Sequence, residues 1–213
     1  MLETVRLAAK SALAPVLYRY PPFNLRPARL AFYITALLER AHLNADVAEI
    51  GCSAGGTAIV ARQALRAAGW KGQYTCFDTF NGFIAEQYDK DAESGLNPRK
   101  RHMFSANSVG LVRKILAQHG CGDIRLVQGD ATKLRSEELS HYSVVLTDVD
   151  LAEPSFEVMN TFWPRLVPGG ILLCDDCVEN RSWLAGEGYR RFCAEMQLPE
   201  EYYYGLGIAR KPD

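Results

Sequence analysis

The chain has 213 residues, 48% of them hydrophobic and 23% charged, with a formal net charge of -1. That length suits one domain with a substantial core, and the composition excludes a disordered chain. The near-neutral balance leaves no basic footprint for nucleic acid, and the apolar runs are interrupted too early to span a bilayer, so the expectation is a cytoplasmic protein acting on small molecules.

Residues 3 to 19 place Val5, Ala8, Ala9, Leu13, Val16 and Leu17 at helical spacing, with Pro15 as a kink point, and Pro21-Pro22 ends the pattern. A second helical stretch follows Asn24, carries Leu30, Ile34, Leu37 and Leu38 along one face, and reaches Asn44. Residues 1–45 are therefore read as N-terminal helices that cover the sheet, cap the site or form a homodimer surface. Residues 46–213 are read as the core of the same domain.

The stretch from Val47 through Glu49, Gly51, Ser53, Gly55 and Gly56 to Thr57 reads as strand, tight loop and helix. In an open parallel sheet, ligands sit at the carboxyl ends of the strands, where such a loop lets the backbone approach them. A dinucleotide pyrophosphate prefers G-x-G-x-x-G, and Ser53 stands where its middle glycine belongs. The pattern Glu49-x-Gly51-x-Ser53-x-Gly55 resembles motif I of class I methyltransferases. The resemblance implies S-adenosylmethionine, with Glu49, Gly51, Ser53 and Gly55 facing its methionine part.

A helix from Ala58 to Ala68, closed by Gly69, leads to a strand from Gln73 to Phe77 that ends at Asp78. An acid at the tip of the second strand can accept hydrogen bonds from both ribose hydroxyls of an adenosine cofactor, which puts Asp78, with Thr79 beside it, in the cofactor set. From Asn81 to Phe104 the chain is polar and aperiodic and is expected to be a lid, with Tyr88, His102 and Phe104 as contacts to the acceptor. A helix from Asn107 to Gln118 then precedes a strand from Ile124 to Gln128, followed by Asp130 and Ala131. By the same resemblance these two would hold the adenine ring.

The strand from Tyr142 to Thr147 runs into Asp148-Val149-Asp150, and a helix from Ser155 to Leu166 precedes the strand from Ile171 to Cys174, which delivers Asp175-Asp176. Four carboxylates converging on one rim repel each other unless a divalent cation neutralises them, and oxygen-only ligands favour Mg²⁺ over zinc. The six cysteines lie mostly in apolar strand-like stretches and read as reduced, structural thiols. A closing helix near Trp183 to Met196 and one or two added strands complete the pattern.

Taken together, Glu49-Ile50-Gly51, Phe77-Asp78-Thr79-Phe80-Asn81-Gly82, Asp148-Val149-Asp150-Leu151 and Pro168-Gly169-Gly170 with Asp175-Asp176 resemble the metal-dependent macrocin-type O-methyltransferases that modify sugars on natural products. The resemblance implies a Rossmann-like α/β fold with a mostly parallel seven-stranded sheet and helices on both faces. It further implies Mg²⁺ held by Asp148, Asp175 and Asp176, with Asp148 also taking the proton of the acceptor hydroxyl. Asp150, two residues on, is the alternative ligand or base. An NAD-dependent reductase or a non-catalytic cofactor-binding protein stays open at this point, because a fold does not fix a function.

Overall fold

The computed structural model describes residues 2–177 and 183–213. Among these, seven strands form one sheet in the order β3-β2-β1-β4-β5-β7-β6, with β1 Asp46–Ile50, β2 Tyr74–Asp78, β3 Arg125–Gln128, β4 Tyr142–Thr147, β5 Leu166–Cys174, β6 Glu201–Tyr203 and β7 Leu206–Arg210. The first five run parallel, while β7 pairs antiparallel with β5 and β6 with β7. This is the expected doubly wound, mostly parallel sheet. Its order reverses at β1 and β4, where a crevice must open above the strand ends.

Both faces of the sheet are covered, which is why β4 is buried along its whole length and carries Val144, Val145 and Leu146 in succession. Alternate residues feed two cores. Val47, Val144, Leu146, Ile171 and Leu173 point into one, against helices α3 (Pro27–Arg40), α4 (Gly56–Ala67) and α6 (Val109–Gln118). Ala48, Ile50, Val145, Leu172 and Cys174 point into the other, against α7 (Ala152–Phe162) and α8 (Ala185–Glu195).

The N-terminal helix breaks at Leu13 into α1 (Leu2–Ala12) and α2 (Ala14–Leu17), with Pro15 in the first turn of α2, where its missing N–H costs nothing. The pair rests on α6 and not on the sheet: Lys10 donates to the Ala106 carbonyl at 2.9 Å and Lys114 to the Ser11 carbonyl at 2.6 Å. Val5, Leu13, Val16 and Leu17 are left exposed. In α3 the buried face is Arg29, Tyr33, Ala36 and Leu37, and Leu38 is exposed, so the face expected from Leu30, Ile34, Leu37 and Leu38 is rotated. The reason is polar pairing: Tyr33 and Arg29 go inside because each meets a partner there.

The aperiodic stretch expected as an irregular lid contains a helix, α5 (Ala85–Glu93). Tyr88 and Leu96 bury themselves against Leu151 and Leu184 in a third small core. The helix is polar on its outer side and owes its place to that one buried edge. All six cysteines are free thiols, five of them buried, as expected.

Candidate active site

The carboxyl ends of β1, β2, β4 and β5 open into a cavity of about 560 Å³, within the ordinary range for a small-molecule site. The loop after β1 is shaped by its neighbours. Gly51 adopts φ +87, and a Cβ there would land on the Asp148 carbonyl oxygen, so the turn needs glycine to let β1 and β4 lie this close. Ser53 is left-handed at φ +50 and points its N–H to Asp78 Oδ2 at 2.8 Å, while the Phe80 N–H reaches Asp78 Oδ1 at 2.7 Å. Two backbone amides thus fix the Asp78 carboxylate at the cavity wall and leave lone pairs for a ligand. Burial pushes its pKa up, and those amides pull part of the way back.

Of the expected cofactor residues, Gly51, Ser53, Asp78, Thr79, Asp130 and Ala131 line this cavity. Asp130 caps the short turn after β3, accepting from the Thr132 N–H at 3.0 Å and the Gln87 amide at 3.2 Å. Burial acts to raise its pKa, but these hydrogen bonds outweigh it and hold Asp130 below the usual carboxylate range. Gly55 does not line the cavity; it opens α4 at φ +79 against Leu116. Glu49 does not line it either. It is buried on the α3 side of β1, where the Tyr74 hydroxyl donates to it and Tyr33 meets Tyr74 at 2.8 Å.

That burial pushes the Glu49 carboxyl from 4.5 up to about 7, against the pull of Tyr74. The folded protein therefore keeps a proton on Glu49 that the unfolded chain releases near pH 4.5, so this contribution to stability is complete below pH 4.5 and is lost as pH rises through 7. Urea unfolding at pH 5 and pH 8 should show wild type losing about 2.5 kcal/mol more than Glu49→Gln. Parallel pH profiles for the two proteins would place the proton elsewhere.

On the opposite wall, Asp148, Asp150 and Asp176 bring ligand oxygens within 4.8 Å of one another. The backbone sets this up: the Asp148 N–H bonds the Ile50 carbonyl at 2.7 Å, and the Asp150 carbonyl receives the Leu184 and Ala185 amides at 3.0 Å. Asp150 and Asp176 both hold left-handed backbones, φ +66 and +56, a cost that non-glycine residues bear where a site over-determines them. Burial, then the charges of its acidic neighbours, pushes Asp148 well up, and Asp150 likewise.

Asp175 faces a different partner. Arg29 Nη1 donates to Asp175 Oδ1 at 2.6 Å and to Asp176 Oδ1 at 2.8 Å. Burial raises Asp175 to about 6, with the Asp176 charge adding and Arg29 opposing. The expected trio of Asp148, Asp175 and Asp176 is thus arranged with Asp150 in the cluster and Asp175 on the arginine.

Beyond the acids, Phe83, Phe104 and Trp183 form an aromatic wall, with Phe83 centred 5.6 Å from each of the other two rings and Lys100 Nζ 4.0 Å over Trp183. Phe104 lines the cavity as expected, but Tyr88 lies behind Phe83 and His102 is exposed outside it. Sequence reasoning passed over Arg29, Phe83 and Trp183. Arg29 did leave a signal, a charged residue at helical spacing with Tyr33 and Leu37.

A sequence family described as a methyltransferase domain matches residues 48–177, more than half of the chain. The chain belongs to this methyltransferase family. The protein is accordingly an S-adenosylmethionine-dependent methyltransferase, and the reductase reading is set aside. No curated protein matches the methyltransferase in sequence. Among solved structures it is similar to the O-methyltransferase NovP, with TM-score 0.77, 18% identity and coverage of 99% of this chain and 100% of that one. It is also similar to the calicheamicin methyltransferase CalS11, with TM-score 0.68, 22% identity and coverage of 99% and 92%. A Bacillus cereus O-methyltransferase in complex with SAH follows at TM-score 0.55, 14% identity and coverage of 98% and 89%. Identities this low speak for the fold. Among the described residues of the methyltransferase, no helix is long and apolar enough to cross a membrane.

Proposed function

We propose that this methyltransferase is a macrocin-type enzyme that methylates a hydroxyl of a small molecule, with a sugar moiety of a natural product as acceptor and Mg²⁺ as the metal. The observation that carries the reading is the meeting of Asp148, Asp150 and Asp176 in the same cavity as Asp78. An oxygen-only donor set fits a hard divalent cation, and a carboxylate fixed by two backbone amides fits a ribose. The sugar part draws support from CalS11, described as a TDP-rhamnose 3'-O-methyltransferase.

In this reading Asp78 and Thr79 hold the ribose, Asp130 and Ala131 the adenine, and Gly51 and Ser53 the methionine part. Gly55 and Glu49 support that loop from behind. Asp148, Asp150 and Asp176 hold the metal, and the aromatic wall excludes water from the acceptor. S-adenosylmethionine supplies an electrophilic methyl group, and a divalent cation lowers the pKa of a hydroxyl bound to it. Asp148, at the cavity wall beside Asp150 and Asp176, would take the hydroxyl proton as the oxygen–methyl bond forms and the methyl–sulfur bond breaks, with S-adenosylhomocysteine as the leaving group.

Calorimetry with S-adenosylmethionine tests the cofactor half. Asp78→Ala removes an acceptor of a buried hydrogen-bond pair and should weaken binding by about tenfold or more. A folded variant with unchanged affinity would remove Asp78 from the cofactor site.

A further inference from the structure

Arg29 lies on α3, outside the stretch that matches the methyltransferase family, yet it touches two of the four acids. It is only 1% exposed. Its Nε donates to the Tyr204 carbonyl at 2.9 Å, and its Nη1 is shared between Asp175 and Asp176. Its Nη2 is buried and has no partner among the described residues. A buried arginine that serves as a structural strut uses its planar fork to bond two oxygens side by side, and buried donors are normally all paired. Here the fork is not engaged that way. One nitrogen sits between two carboxylates while the other, buried, goes unspent, and the residue as a whole lines the cavity, an arrangement in which its charge matters beyond the single brace to Tyr204.

The two carboxylates are not equivalent. Asp175 is the more enclosed, with its side chain 8% exposed against 20% for Asp176, and only Asp176 also belongs to the group with Asp148 and Asp150. Four acids this close carry a repulsion that Arg29 offsets in part, and a divalent cation would offset the rest.

We propose that Arg29 is the internal counter-cation of the cluster: it stands in for the divalent ion when none is bound, and it weakens the ion's affinity enough to keep the ion exchangeable. The proposal rests on the metal-dependent reading above. Arg29 is then a positioning residue, and Asp175 is its lasting partner. Asp176 is shared between the arginine and the ion.

The test is calorimetry of the full chain with MgCl₂ alone at about pH 8, comparing wild type, Arg29→Met and Arg29→Lys, with unfolding temperatures in EDTA and in MgCl₂. Arg29→Met keeps the stem and removes the charge. It should bind Mg²⁺ about tenfold more tightly than wild type, melt lower in EDTA and gain more from the metal, while Arg29→Lys stays within about threefold of wild type. If Arg29→Met folds only in MgCl₂, that rescue supports the stand-in role, and failure to fold even there overturns it. Equal or weaker affinity in Arg29→Met also overturns it, leaving the metal reading intact. No Mg²⁺ binding by wild type removes both, and S-adenosylmethionine binding then still reports on the cofactor site separately.

Discussion

Asp148→Asn should lower methyl transfer by roughly 10² to 10⁴, the range for a lost general base, while S-adenosylmethionine binding stays within about twofold. The substitution keeps the side-chain shape and one oxygen. The backbone bond from the Asp148 N–H to Ile50 is untouched, so the β1–β4 pairing that shapes the cavity survives. What disappears is a negative charge among Asp150, Asp175 and Asp176 and a carboxylate whose affinity for protons burial has raised. Metal binding should weaken as well, since one of three charged ligands becomes neutral. Initial rates with labelled S-adenosylmethionine on a panel of glycosides and catechols, with and without EDTA, give the comparison. Full activity in the chelator, or an unimpaired Asp148→Asn enzyme, would leave these carboxylates as loop acids.

The second large effect comes from a residue with no side chain. Gly51→Ala should destabilise the fold by about 4 kcal/mol or more, because the new methyl group meets the carbonyl of Asp148, a backbone atom that no rotamer can move aside, and φ +87 adds strain of its own. Relief requires β1 and β4 to separate at their carboxyl ends, where Ile50 pairs with Thr147. Denaturant titration checks the loss. A midpoint within experimental error of wild type would mean that the loop relaxes at little cost and that glycine is there for a ligand instead.

How much of this could be read from the sequence depended on whether a residue's reason lay nearby in the chain. The bounds Tyr142 to Thr147 were legible because a strand buried on both faces carries consecutive apolar residues, here Val144, Val145 and Leu146, and not an alternating pattern. Asp78 and Asp130 were legible because strand tips follow from strand bounds. The inward face of α3 was not, since Arg29 is buried by carboxylates 146 and 147 residues away. Helix α5 was hidden for the same reason: Tyr88 and Leu96 are buried against Leu151 and Leu184, far along the chain. Spacing along the chain left Asp148 and Asp150 as rival ligands or bases, and it carried no sign that Arg29 would reach Asp175 and Asp176.

Gly56 has a separate role from the glycine before it. A Cβ there would run into the backbone of Pro22 and Phe23, so the segment linking α2 to α3 is laid directly across the first turn of α4. The leading helices and the first loop of the sheet are therefore not interchangeable parts. An attempt to alter acceptor choice by grafting the front of a relative onto this scaffold would have to carry the matched pair, the crossing peptide and the bare α-carbon beneath it, or the graft would tilt α4 and with it the loop of Gly51 and Ser53 that lines the pocket. Lineages that diversify through their N-terminal regions would be expected to change both ends of that contact together.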